Sequence, residues 1–164
     1  MSGSKKTETT APVVFEPEFV AALADIFEQR IVFNQVLGLK ITRISPDKVS
    51  ARIAMRHELV GHYSYNRIHG GVISAVLDAI GSAAVMAALA AKHMDEPPAK
   101  RLERFAKLGT IDLRVDYLRP GIGEYFTVHA NALRVGSRVG SSRMEFRGPD
   151  GTLMSTGAAA YIVS

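Results

Sequence analysis

Apolar and polar positions recur with two different periods along this chain, and the change of period marks out its elements. Over residues 17 to about 29, Phe19, Leu23 and Phe27 return every four positions, which puts them on one face of a helix. Pro17 suits a first helical turn, where a missing N–H goes unnoticed, and Gly38 punctuates the run-out. Residues 39–44 and 48–55 then read as a hairpin around Ser45-Pro46-Asp47. Its second strand carries Val49, Ala51, Ile53 and Met55 on one face. Residues 57–68 mix polar and aromatic side chains without a period and read as a loop. From Gly71 to about Ala91 the chain is almost wholly apolar and rich in alanine, which predicts a helix buried on nearly all sides.

The second half shifts to a period of two. Before it, residues 92–107 hold Pro97-Pro98 and cannot be one regular element; residues 101–105 suit a short turn of helix. Connections of this length are often lids, and this one is a candidate cover for the face of the long helix. Residues 110–118 alternate strictly, with Ile111, Leu113, Val115 and Tyr117 on one face. Strands over 125–135, 139–147 and 153–163 follow, parted by turns at Arg119-Pro120-Gly121, Gly136-Ser137-Arg138 and Pro149-Asp150-Gly151. Turns this short make antiparallel neighbours. The economical architecture is an α+β domain, with one curved antiparallel sheet wrapped around the long helix. Gly157, Ala158, Ala159 and Ala160 fit it, because small side chains let a helix come close to a strand.

Composition narrows this picture without changing it. The chain has 164 residues, 47% apolar and 22% charged, in the range of one globular domain with a real core. Residues 1–14 are expected to be a disordered tail and 15–164 the domain. The first ten residues, MSGSKKTETT, lack the apolar core of a signal peptide, so a cytoplasmic setting is expected. Absence of cysteine excludes disulfides, thiol catalysis and thiolate metal sites. The long apolar segment is long enough to span a bilayer, but Asp78 near its middle costs roughly 2.5–3.5 kcal/mol on insertion scales, so no membrane role is expected. The net charge of +4 suits a solvated surface or an anionic ligand such as a nucleotide phosphate. Basic residues are scattered and no nucleic-acid-binding motif appears, so nucleic acid is not expected as a partner. His57, His93 and His129 show no ligand spacing with carboxylates; neither a metal nor a cofactor is expected.

Two features carry candidate chemistry. His69-Gly70-Gly71 stands where loop becomes helix, and helix-opening amides are unpaired, point outward and favour negative charge. Glycine lets a ligand approach them closely, so the tripeptide is a candidate oxyanion hole. Asp78 lies eight residues after Gly70, on a stripe of mostly small or polar residues: Gly71, Ser74, Ala75, Gly81, Ser82 and Val85. The opposite face carries Val72, Ile73, Val76, Leu77 and Ile80. A carboxylate in such a helix is paired, hydrogen-bonded or protonated; facing a ligand cleft, it is a candidate general base.

Taken together, RIHGGVISAVLDAIGSAA and the later TIDLRVDYLRPG resemble the hotdog-fold acyl-CoA thioesterases of the PaaI type, named for phenylacetate degradation, over roughly residues 33–163. The resemblance implies an enzyme that hydrolyses an acyl-CoA thioester to free acid and CoA. Gly70 would bind the thioester oxygen through its amide. Asp78 would activate water or attack as nucleophile, His69 would order the loop, and Thr110 would position water or the carboxylate. Gly71 and Asn66 would belong to the substrate-binding surround. Arg134 and Arg138, flanking a strand turn, are candidates for the CoA phosphates. Members are homodimers or homotetramers with the site between subunits, so Gly70 and Asp78 would meet from different chains. One departure stands out: Tyr63 occupies the place where many relatives carry an asparagine, with His62 and Asn66 near it. Two competing readings are a non-catalytic acyl-CoA-binding module on the same fold and a 3-hydroxyacyl thioester dehydratase; HGG in place of an HFPG-like opening speaks against the second.

Overall fold

The computed structural model describes residues 12–164. The first eleven residues of the expected tail lie outside this range; Phe15, where the domain was expected to begin, is buried against Phe19.

Helix α1 (Pro17–Asp25) opens on its proline and buries Phe19 and Leu23. The predicted helix continues to Arg30, but its last turn, Ile26–Arg30, widens to a π turn that keeps Phe27 buried. A second short helix, α2 (Val32–Leu37), was not foreseen; it ends at Gly38, whose φ of 68° requires a residue without a Cβ. The hairpin β1 (Lys40–Ile44) and β2 (Val49–Ala54) forms as expected, with Val49, Ala51 and Ile53 fully buried. The stretch read as plain loop holds a single turn of 3-10 helix and a small ribbon, β3 (Val60–His62) with β4 (Arg67–Ile68).

Helix α3 (Gly70–Ala90) is the centre of the molecule, with Val76, Leu77, Ile80, Val85 and Met86 fully buried. Its length and composition would let it cross a membrane, but most of it is buried within the domain. The connection after it forms α4 (Pro98–Glu103) and a 3-10 turn (Arg104–Lys107), a longer helical stretch than expected. Arg101 fixes this segment: its guanidinium is wholly buried, 2.6 Å from Glu16 and over the Phe19 ring.

The last strands are β5 (Gly109–Tyr117), β6 (Tyr125–Val135), β7 (Val139–Arg147) and β8 (Leu153–Ile162). All six long strands form one antiparallel sheet in the order β1-β2-β6-β7-β8-β5, with α3 packed across it. The approach of α3 to β8 is tightest at Gly81. A Cβ there would overlap the Tyr161 hydroxyl and lie 2.8 Å from Ser142 Oγ. Gly81 and Val85 therefore face the sheet, not the cleft face of α3 as the stripe had suggested. Three residues past Asp78 the helix has turned through about 300°, whereas four bring Ser82 back beneath it.

Candidate active site

The start of α3 is built by the chain on either side of it. His69 is the N-cap: its Nδ1 accepts the Gly71 amide at 2.8 Å, and its carbonyl accepts those of Val72 and Ile73. Its own amide is tied to the Leu59 carbonyl, so the turn is held from both ends. Among the described residues the Gly70 amide donates to nothing. One helix-opening N–H is thus left free, and it is that of Gly70; the Gly71 amide is already spent on the cap. Tyr117, which the alternation had marked only as apolar-face, reaches this turn: its hydroxyl donates to the Gly70 carbonyl at 2.8 Å and lies 2.6 Å from Ser74 Oγ.

Two turns further on, the Asp78 carboxylate accepts a hydrogen bond from Thr110 Oγ1, 3.0 Å from Oδ1 and 3.2 Å from Oδ2. Simple alternation would have turned Thr110 away from Ile111 and Leu113. The ladder slips by one residue between Thr110 and Asp112, where β5 pairs with β8, and that bulge re-aims the threonine at the helix. Behind Asp78, Tyr161 donates to its carbonyl at 3.1 Å. Burial, with the nearby Asp78 charge second, pushes the Tyr161 phenol far above the ordinary tyrosine range, so it stays a donor.

Asp78 opens onto a cleft of about 480 Å³. Gly71, Ser74, Ala75, Ala79 and Ser82 of α3 floor it, Leu113 of β5 walls it, and Phe27, Ile31, Phe33 and Asn34 roof it. The roof comes from the N-terminal helices, not from residues 92–107, which line no part of this cleft. It depends on the π turn, whose Phe27 carbonyl is met by the buried Asn34 side-chain amide at 3.0 Å. The sequence pattern does not single out Asn34; the available signal is the Asn34-Gln35 pair that interrupts the otherwise apolar run 31–37.

The remaining predicted residues lie elsewhere. Asn66 sits exposed in the β3–β4 turn at φ 47°, a left-handed conformation asparagine tolerates, and it does not line the Asp78 cleft. Tyr63, at the departure from the expected pattern, is 94% exposed in the same turn. Arg134 and Arg138 line a separate cavity at the β6–β7 turn, and within one chain they are not brought to Asp78. No group of three or more histidine, aspartate or glutamate residues able to hold a metal occurs among the described residues.

Residues 65–155 match the family model described as the thioesterase superfamily. The medium/long-chain acyl-CoA thioesterase YigI of Salmonella typhimurium is 33% identical over 143 residues, covering 86% of this chain and 91% of that protein. The Escherichia coli protein of the same name is 32% identical with the same coverage. A crystal structure of a Shewanella oneidensis protein, described as related to the thioesterase superfamily, superposes with a TM-score of 0.84 at 38% identity. It covers 92% of this chain and 100% of that one. A hotdog-type sheet around a central helix, a family match over more than half the chain and these relatives lead to one assignment: the chain belongs to the thioesterase superfamily.

Proposed function

We propose that this protein hydrolyses acyl-CoA thioesters, with medium to long acyl chains as its substrates, to free acid and CoA. The observation that carries this reading is a pair of features on one helix. An unpaired Gly70 amide opens α3, and a carboxylate held by Thr110 faces an apolar cleft two turns later. In the proposed reaction the Gly70 N–H donates to the thioester oxygen as the carbonyl carbon becomes tetrahedral. Asp78 either takes a proton from the attacking water or attacks the carbon itself, while the Thr110 hydroxyl steadies the carboxylate in the attacking rotamer. The carbon–sulfur bond then breaks and CoA leaves as thiolate; on the direct route water then opens the Asp78–acyl anhydride, which frees the acid and restores the carboxylate. Quenching a single turnover and trapping any acyl-enzyme with hydroxylamine separates the two routes, since only direct attack forms an Asp78–acyl anhydride.

Geometry also supports a site shared between two copies. Gly70 and Asp78 stand eight residues apart on one straight helix, about 12 Å along its axis. A reacting carbonyl must lie within hydrogen-bond reach of both. One chain alone does not bridge that span, so the Gly70 amide is supplied to each Asp78 by a second copy, in a homodimer or a homotetramer. Strand β5 is a sheet edge with Ile111 and Tyr117 exposed, which suits such a partner. Across that boundary Arg134 and Arg138 become available to the CoA phosphates, and the turn with Asn66 and Tyr63 to the rest of the substrate. His69-Gly70-Gly71 and its spacing to Asp78 support the PaaI type in particular. Among the described residues the one helix long enough to anchor the chain is mostly buried in the domain, in keeping with a cytoplasmic enzyme.

The test is release of free thiol from a panel of acyl-CoAs by the purified protein. Turnover on medium and long chains is expected. Tight binding of acyl-CoA with no thiol released from any member would overturn hydrolysis in favour of a binding module. Hydration of an enoyl-CoA would favour the dehydratase.

A further inference from the structure

Ile31 faces two clefts at once. On one side it roofs the Asp78 cleft with Phe27, Phe33 and Asn34. On the other it lines a second cleft of about 580 Å³ between α1 and the segment 98–107, with an apolar side of Ala22, Ile26, Leu102, Phe105 and Ala106 and a charged side of Asp25, Arg30 and Glu103. Among the described residues it is common to both linings. Phe27 stands beside it, buried, with its ring edge-on to Phe105 at 5.4 Å between centroids. The two clefts therefore adjoin at Ile31, beside the Phe27–Phe105 pair.

We propose that Ile31, backed by Phe27, is the end wall of the acyl channel and sets the longest chain the site accepts. The inference rests on the acyl-CoA reading above. The floor beside Asp78 consists of Ser74, Ala75, Ala79 and Ser82, none large enough to stop a methylene chain. The bulky groups over that floor are on the roof, and of these Ile31 alone also lines the second cleft, against the apolar side formed by Ile26, Leu102 and Phe105. Its backbone is also suited to a gatepost. Ile31 is the extended joint (φ −83°, ψ 99°) between the π turn and α2, and it is half-buried. Changing its side chain alters the channel without emptying the core. On this reading residues 92–107 do affect the channel, from behind the wall.

The experiment measures kcat/KM for saturated acyl-CoAs of increasing length on the wild type, Ile31→Ala and Ile31→Phe. Ile31→Ala joins the clefts and moves the optimum to longer chains, with about a fourfold gain for each further methylene buried. Ile31→Phe moves it to shorter ones. Adding Leu102→Trp to Ile31→Ala fills the space behind the wall and removes the long-chain gain. The same variants are titrated with S-alkyl-CoA thioethers, which cannot be hydrolysed, so the wall is read by affinity even without turnover. Folded Ile31 variants with the wild-type length profile in both assays overturn the proposal, as does a gain that Leu102→Trp leaves intact. Should Ile31→Ala not fold, Ile31→Phe decides by its shift or lack of one. A wild type that binds by length but releases no thiol sinks hydrolysis and leaves the wall standing.

Discussion

In the proposed reaction Asp78 and Gly70 act through different atoms, so they are tested by different kinds of substitution. Asp78 acts through its carboxylate. Asp78→Asn keeps the shape and still accepts from Thr110, but it neither takes up a proton at neutral pH nor attacks. Its kcat in the thiol-release assay is expected to fall by about 10²–10⁴, with an unchanged circular dichroism spectrum and melting temperature. Gly70 acts through its backbone, which most substitutions leave in place. Proline removes the N–H, and Gly70 is the one position of α3 where that is structurally cheap: it is the first helical residue, and His69 before it is already extended, with φ −67° and ψ 135°. A Cβ at this position lies 3.3 Å from the Tyr117 ring, which is half exposed and can shift. Gly70→Pro is therefore expected to lose about 10²–10³ in kcat, the range for one oxyanion donor, while melting near the wild-type temperature. Gly70→Ala, which retains the amide, should lose far less.

How closely α3 lies on the sheet is decided by single positions along the interface. At Gly81 the Tyr161 hydroxyl, Ser142 Oγ and Met144 Sδ crowd the place a Cβ would take. Gly81→Ala is expected to destabilise by about 1–3 kcal/mol through overpacking, read from denaturant unfolding. Tyr161→Phe removes the hydroxyl nearest that Cβ, at the loss of the hydrogen bond to the Asp78 carbonyl. The double variant should therefore be less destabilised than the sum of the two singles, because both act on the same contact. Additive effects would mean that the helix and β8 are not in contact there. The π turn is a comparable device on the roof. Its widened ring swings Phe27 and Ile31 over the cleft, and the Asn34 amide meets the carbonyl at its core.

For the molecule as a whole, acid stability and assembly are the accessible readouts. Burial holds His129 below its ordinary value of 6.5, and Lys48 and Arg147 add to that shift, so the native protein resists protonating it. A lowered native value means the stabilisation is complete above 6.5 and is lost as pH falls through the native value. Glu16 is held below its ordinary 4.5 by the Arg101 hydrogen bond, and Glu96 by that of Arg104. Their contributions are complete above 4.5 and lost further into acid. The melting temperature is thus expected to fall in two stages on acidification. His129→Gln should flatten the first, near and below pH 6.5, and Glu16→Gln part of the second; an unaltered first stage in His129→Gln would refute the assignment. Assembly is tested by mixing. Asp78→Asn and Gly70→Pro chains, each expected to be nearly inactive alone, are unfolded and refolded together. If each site takes Gly70 from one copy and Asp78 from another, half of the randomly formed dimers hold one intact site, and about a quarter of wild-type activity should return. No recovery in demonstrated heterodimers would refute the shared site.

Much of this was legible in the residue pattern because periodicity is local. A 3.6-residue repeat or a strict alternation assigns each side chain a face without reference to the rest of the chain, and the long helix, the hairpin and the four later strands were all readable that way. HGG before an apolar helix and Asp78 two turns later were readable for the same reason, since a helix fixes its own spacing. Other features depend on residues far apart in sequence. The bulge that turns Thr110 onto Asp78 exists only where β5 pairs with β8. The roof over the cleft comes from residues 27–34, some fifty positions before Thr110's partner, and no local pattern announces a π turn. Which helix-opening amide is free was likewise decided by where the His69 ring points, taking the Gly71 N–H and leaving that of Gly70. The chain determined which residues could do chemistry, because composition and period are properties of neighbours; the folded sheet decided which of them meet, because meeting depends on register and packing between distant segments.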